Sequence, residues 1–145
     1  MPVINPYLNF PGTTEEAFNF YKSVFGGEFA GGIYRFKDAP GAENLSEEDK
    51  NKVMHVSLPI GNGNVLMGTD ALASMGFKVE KGNNFYISIS PDSREEADRL
   101  FNGLSVGGKV EMEMQDTFWG AYYGSLEDKF GIKWMINFDK NSRNQ

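Results

Sequence analysis

Apolar and polar side chains alternate through Asn5-Pro-Tyr7-Leu8-Asn9-Phe10, the period of a strand with one covered face. From Ala17 the spacing changes: Ala17, Phe18, Tyr21, Val24 and Phe25 recur at helical intervals and form one apolar stripe. Thr13 with Glu16 three places on is the capping-box pattern that satisfies amides at a helix start, and Gly26 stands where a left-handed cap would end the helix. The whole succession then returns. Thr13-Thr-Glu-Glu-Ala17 is matched eighty positions later by Ser93-Arg-Glu-Glu-Ala97, with Ser93 and Glu96 as the second box, Ala97, Leu100, Phe101 and Leu104 as the second stripe and Gly103 as the second cap. The strand ahead of it, Asn84-Phe-Tyr86-Ile87-Ser88-Ile89, lies at an offset of seventy-nine, so the one-residue slip falls in the strand-to-helix loop.

Alternation also assigns faces. Leu8, Phe10, Ile87 and Ile89 look toward the helices, while Asn5, Tyr7, Asn9, Asn84, Tyr86 and Ser88 look away. After the first helix the pattern predicts a strand near 28–36, an acidic loop over 37–52 in which Ser46-Glu-Glu-Asp49 is a capped surface turn, and a hairpin, 53–60 with 65–69, turned by Gly61-Asn-Gly-Asn64. After the second helix come strands at 109–115, 121–126 and 132–138. The expected fold class is α+β: two tandem βαβββ modules, about 1–70 and 83–138, joined by 70–82, followed by a polar tail at 139–145, and together forming one domain with a concave mixed-sheet cleft.

Composition narrows what such a cleft holds. The 145 residues carry 20 acidic and 14 basic side chains, a net charge of −6, which disfavours a nucleic-acid partner because phosphate neutralisation needs clustered Lys and Arg. With no cysteine, disulfides, Cys-ligated zinc, iron–sulfur clusters and thiol nucleophiles are excluded, and a reducing, cytoplasmic setting is expected. The N-terminus lacks the basic and apolar regions of a signal peptide, and no stretch approaches the roughly 20 apolar residues of a membrane span. The residues placed on the inner walls are Asn5, Tyr7, Asn9, His55, Ser57, Asn84, Tyr86, Ser88, Met135 and Asn137, with the aromatics Phe118, Trp119, Tyr122, Tyr123 and Trp134 crowding the second half. This neutral, hydrogen-bonding and aromatic set suits a small polar or planar organic ligand.

The segments Pro6-Tyr-Leu-Asn-Phe-Pro-Gly12, Glu16-Ala-Phe-Asn-Phe-Tyr-Lys-Ser-Val-Phe-Gly-Gly-Glu28, His55-Val-Ser-Leu-Pro-Ile-Gly61, Leu66-Met-Gly-Thr-Asp70, Phe118-Trp-Gly120 and Tyr123-Gly-Ser-Leu-Glu-Asp-Lys-Phe-Gly-Ile-Lys-Trp-Met-Ile-Asn137 carry a family likeness. Over nearly its whole length the chain resembles the PhnB-like branch of the glyoxalase/bleomycin-resistance/dioxygenase superfamily, also called vicinal oxygen chelate. The resemblance implies the paired-module fold and a small-molecule ligand, but spans isomerases, dioxygenases, thiol transferases and drug-sequestering proteins. A methyltransferase label attached to the branch finds no methyl-donor loop after a parallel-sheet strand in this sequence. Metal-dependent relatives put a His on the first strand of each module and a carboxylate on the last; here those positions fall on Asn5, Asn84 and Met135, so the resemblance implies no metal ligand set and no cofactor.

Two readings of His55, the chain's one histidine, stand side by side: a general base, or a strand histidine bonded within the cleft wall. Asn5 and Asn84 either orient a ligand or fill space that ligands of a metal once occupied. Gly103-Leu-Ser-Val-Gly-Gly-Lys109 matches part of a phosphate loop but runs helix to strand, so no helix N-terminus faces an anion. Glu111 and Glu113, alternating with Val110, Met112 and Met114, read as a solvated strand face. The functional expectation is a metal-independent small-molecule binder acting as a homodimer, with His55, Asn5, Tyr7, Asn9, Ser57, Asn84, Tyr86, Trp119, Tyr123 and Met135 at its site. The competing expectations are a glyoxalase-like lyase or isomerase, using His55 as base or an atypical metal site, and a regulatory partner with a vestigial cleft.

Overall fold

The structure, a computed structural model, describes residues 2–139. Its elements are β1 (Tyr7–Phe10), α1 (Thr14–Phe25), β2 (Tyr34–Arg35), α2 (Glu47–Lys50), β3 (Val53–Gly61), β4 (Asn64–Asp70), β5 (Ile87–Ile89), α3 (Arg94–Ser105), β6 (Lys109–Asp116), β7 (Ala121–Glu127) and β8 (Lys133–Asp139). Both βαβββ modules are present, each closing a four-stranded mixed sheet of order β1-β4-β3-β2 or β5-β8-β7-β6. In each, the first strand pairs parallel with the last, which requires a crossover, and the remaining pairs are antiparallel. The chain divides into two compact units, Met1–Glu80 and Lys81–Gln145, the boundary falling inside the expected connection. Of the expected tail, all but Asp139 lies outside the described residues.

In the first unit α1 packs Ala17, Phe18, Tyr21 and Val24 against Leu8, Phe10, Val56, Leu58 and Leu66. Phe18 meets Phe10 and Tyr21 edge to face at 6.4 and 5.5 Å between centroids, and each such fully buried side chain contributes about 1.5–3 kcal/mol relative to exposure. Gly68 on β4 makes room for that ring: a Cβ there would lie 2.5 Å from Phe18 Cε1. The hairpin turns as expected through Asn62 and Gly63, whose φ values of 55° and 79° match the twist of the flanking strands. In the second unit Ala97, Leu100, Phe101 and Leu104 of α3 cover Leu126, Trp134, Ile136 and Phe138.

Four expectations are corrected. The strand expected over 28–36 is only Tyr34–Arg35, because Gly26, Gly27, Gly31 and Gly32 all take positive φ and bend the preceding chain away from a ladder. Thr13 makes no side-chain cap; the amide of Thr14 instead donates to the carboxylate of Asp70, brought from the end of β4. In the second copy Ser93 does accept from the Glu96 amide, while the Glu96 carboxylate accepts from Asp92, one residue earlier than the box pattern. Gly103 lies inside α3, which continues to Ser105, and the positive φ falls at Gly107.

Candidate functional site

On the first sheet, Tyr7 and Asn9 alternate with the buried Leu8 and Phe10, so they stand on the face turned away from α1, and Tyr7 is 46% exposed. Parallel pairing sets Tyr7 beside Met67 and Asn9 beside Thr69; antiparallel pairing sets Ser57 opposite Met67 and Tyr34 opposite His55. A register shift between Tyr34 and Arg35 leaves Met54 as an extra residue on β3, and next to it Val53 is buried while His55 is half-exposed. His55 is held between two phenols. Tyr7 Oη lies 3.0 Å from His55 Nδ1, with ring centroids 5.6 Å apart, and the Tyr34 ring lies 6.4 Å from the imidazole on a similar tilt. Burial pushes the Tyr7 phenol above its ordinary pKa, with a hydrogen bond from Thr69 pulling the other way. Charged groups are missing from this cluster of Tyr7, Asn9, Tyr34, His55, Ser57, Met67 and Thr69.

Asn5 has a different task. Its side-chain oxygen accepts from the Val65 amide at 2.9 Å, and Pro6 carbonyl accepts from Met67, so the two extend the β1/β4 ladder beyond the strand. Ser57 contributes its carbonyl to the Ala30 amide.

The second sheet has an open face of its own, carrying Ser88, Tyr123, Met135 and Asn137; Met135 lies between Ser88 and Ser125, and Tyr123 opposite Asn137. Trp119 meets Tyr123 edge to face at 6.3 Å and Phe118 meets Trp119 edge to face at 5.0 Å between ring centroids, while Phe118 itself is 98% exposed. Asn84 is exposed in the bend before β5. Tyr86 belongs to a charged cluster that sequence reading missed: its hydroxyl donates to Glu111 at 2.8 Å, and Lys133 donates to the other Glu111 oxygen. Lys133 also lies 3.8 Å from Glu127, and its side chain is 11% exposed. Lys133 first, then the Tyr86 hydroxyl, hold the Glu111 carboxyl below its ordinary pKa; Glu111 in turn raises both Tyr86 and Lys133.

Glu111 stands on the exposed strand face expected, but it is ion-paired there rather than free. The β6 ladder slips between Val110 and Met112, leaving Glu111 as an extra residue, and a bulge of that kind breaks the alternation from which its environment was read. Lys133 needed no structure to find, since the alternation that places Met135 and Asn137 on the open face places it there too. Tyr34 was concealed by its position at the end of a glycine-rich stretch.

Taken unit by unit, the positions where the resemblance would place metal ligands do not fit a divalent ion. Asn5 spends its oxygen on Val65, Asn84 is an amide and Met135 a thioether. Among the described residues no group of three or more His, Cys, Asp or Glu converges to hold a metal. Nor is any helix among them long and apolar enough to cross a membrane.

Comparison with known proteins agrees with the fold. The chain is 32% identical to Protein YjdN of Escherichia coli K12, with 98% of this chain and 99% of that protein aligned. The crystal structure of protein PA1353 from Pseudomonas aeruginosa superposes with a TM-score of 0.83 at 36% identity, over 96% of this chain and 98% of that one. A Bacillus cereus PhnB protein, described as a putative 3-demethylubiquinone-9 3-methyltransferase, gives 0.68 at 27%, over 94% and 99%. A glyoxalase/bleomycin resistance protein from Albidiferax ferrireducens, at 16% identity and a TM-score of 0.60 over 92% and 95%, shares the fold. The family profile described as 3-demethylubiquinone-9 3-methyltransferase matches residues 2–137. On this match, and on the relatives just named, the chain belongs to that PhnB-like family and has the glyoxalase/bleomycin-resistance fold.

Proposed function

We propose that the protein binds a small organic molecule without the help of a divalent metal, and that the helix-free face of the first sheet is where it does so. The observation that carries this is the Tyr7–His55–Tyr34 cluster: two aromatic walls and an imidazole, uncharged neighbours, and a face left uncovered by α1. Such a surface recognises a planar or partly polar ligand by stacking and a few directed hydrogen bonds. The methyl transfer in the family's description is not used in this reading. Each sheet has a single parallel pair, and at the glycine-bearing turn Pro11-Gly12-Thr13 the helix N-terminus that would meet a phosphate is filled by Asp70.

The test is a metabolite panel screened by thermal shift and ligand-observed NMR. A hit whose Kd rises tenfold or more in both His55→Ala and Tyr34→Ala supports the reading; no hit, or hits indifferent to both changes, overturns it. Zinc, nickel, manganese or iron found in stoichiometric amount, and required again after chelation, would remove the metal-free part. The reading includes a cytoplasmic homodimer, which a monomer mass by light scattering or a different compartment on fractionation would remove.

One feature favours a second reading, a lyase or isomerase in which His55 is the general base. A catalytic imidazole needs a partner that fixes its ring, and Tyr7 is placed to be that partner. That reading requires Nε2 to be free of its proton.

A further inference from the structure

We propose that Tyr7 donates its hydroxyl proton to Nδ1 of His55, fixing the imidazole as the Nε2–H tautomer, so that the site offers a hydrogen-bond donor and selects ligands by an acceptor oxygen, carbonyl or carboxylate, carried on a planar group. The donor assignment stands on geometry and does not depend on the binding reading; the ligand class deepens that reading and rests on it.

A neutral imidazole carries one proton, and the hydrogen bond made by one nitrogen decides where it sits. The partner of Nδ1 is a phenol, 3.0 Å away. A phenol O–H, with an ordinary pKa near 10, is a much better donor than a neutral imidazole N–H, and an imidazole lone pair is a much better acceptor than a phenol oxygen. The proton between them therefore belongs to the oxygen. Burial, which raises the Tyr7 phenol, keeps that hydrogen in place at neutral pH.

Nε2 then carries the ring proton, and among the described residues nothing accepts it. With Tyr34 alongside and no charge in the cluster, a ligand group that completes the arrangement must be an acceptor, and an adjoining flat surface lets it lie against the ring. As a resting Nε2–H donor, His55 is also the wrong tautomer for a general base at that nitrogen.

That there is one histidine makes the test direct. Protein labelled with 15N-histidine gives a single imidazole spin system, in which the protonated and unprotonated nitrogens resonate in well-separated regions. The expected result at alkaline pH is an unprotonated Nδ1 and a protonated Nε2, and in Tyr7→Phe a mixture of both tautomers with an unchanged backbone amide spectrum. A protonated Nδ1 in the wild type overturns the proposal, and so does a Tyr7→Phe spectrum with the tautomer unchanged. Benzoate and benzylammonium then serve as matched planar probes. Displacement of the Nε2 resonance by benzoate alone supports the acceptor requirement, and displacement by benzylammonium alone overturns it. If the tautomer is as expected and neither probe moves His55, the proposed ligand class fails while the donor assignment holds, and a panel without hits would remove the binding reading itself.

Discussion

Thr14 opens α1 with its backbone amide bonded to Asp70 and its own hydroxyl buried without a hydrogen-bond partner among the described residues. A buried hydroxyl left unmade costs about 1–3 kcal/mol, and valine has nearly the same shape. Thr14→Val is therefore expected to stabilise the protein by about 1 kcal/mol in urea denaturation; a loss of stability would mean the hydroxyl has an acceptor after all. The residue scale is also where sequence reading did least well at the site. Tyr7 and His55 were placed on one face by alternation, and they do meet, but Asn5 looked identical to Asn9 by that rule and is instead spent on Val65. A period-2 pattern reports the direction of a side chain, not what lies within 3 Å of its polar atoms, and it loses even direction at a bulge such as the one at Glu111.

At the scale of elements, what holds α1 comes from outside it. Asp70 accepts from Thr14 at one oxygen and from Val53 at 2.8 Å at the other, so one buried carboxylate fixes the helix start and the start of β3. Asp70→Ala is expected to cost about 2–4 kcal/mol, since it orphans two buried amides, while Thr13→Ala changes stability by less than about 0.5 kcal/mol. Equal effects would restore the cap expected from the sequence. Further along the first turn, Glu15 receives both guanidinium nitrogens of Arg35, at 3.0 and 2.9 Å, tying α1 to β2. The hydrogen bond from Arg35 holds the Glu15 carboxyl below its ordinary pKa, so its contribution is present above the unfolded-state value and disappears as pH falls through the folded-state value. Because the Glu15 side chain is 46% exposed, screening keeps that contribution under about 1 kcal/mol. Glu15→Gln is expected to flatten the acid limb of the stability curve by that amount and leave the alkaline limb alone, measured by chemical denaturation across pH. Helix ends are poorly legible from sequence for this reason: Thr13 and Ser93 stand in the same local pattern, yet a remote carboxylate reaches only the first.

Across the molecule the duplication was legible, because two similar helix starts and two leading strands recur at offsets of eighty and seventy-nine, and repetition survives small errors in any one element. Between the two units runs strand-free chain that is exposed over 73–78 and 80–85. Lys78 and Lys81 are exposed within that stretch and belong to no helix or strand. Limited trypsin digestion is expected to cut there first, giving two fragments resistant to further cleavage on the same timescale; first cuts within α1, α3 or the strands would contradict the division. The feature with the widest reach is the carboxylate of Asp70. Since the first helix receives its terminal anchor from the last strand of its own sheet, a nascent chain leaving the ribosome can sketch that helix early but cannot secure it until more than forty further residues have followed Phe25 into the open, and the early segment must wait for them.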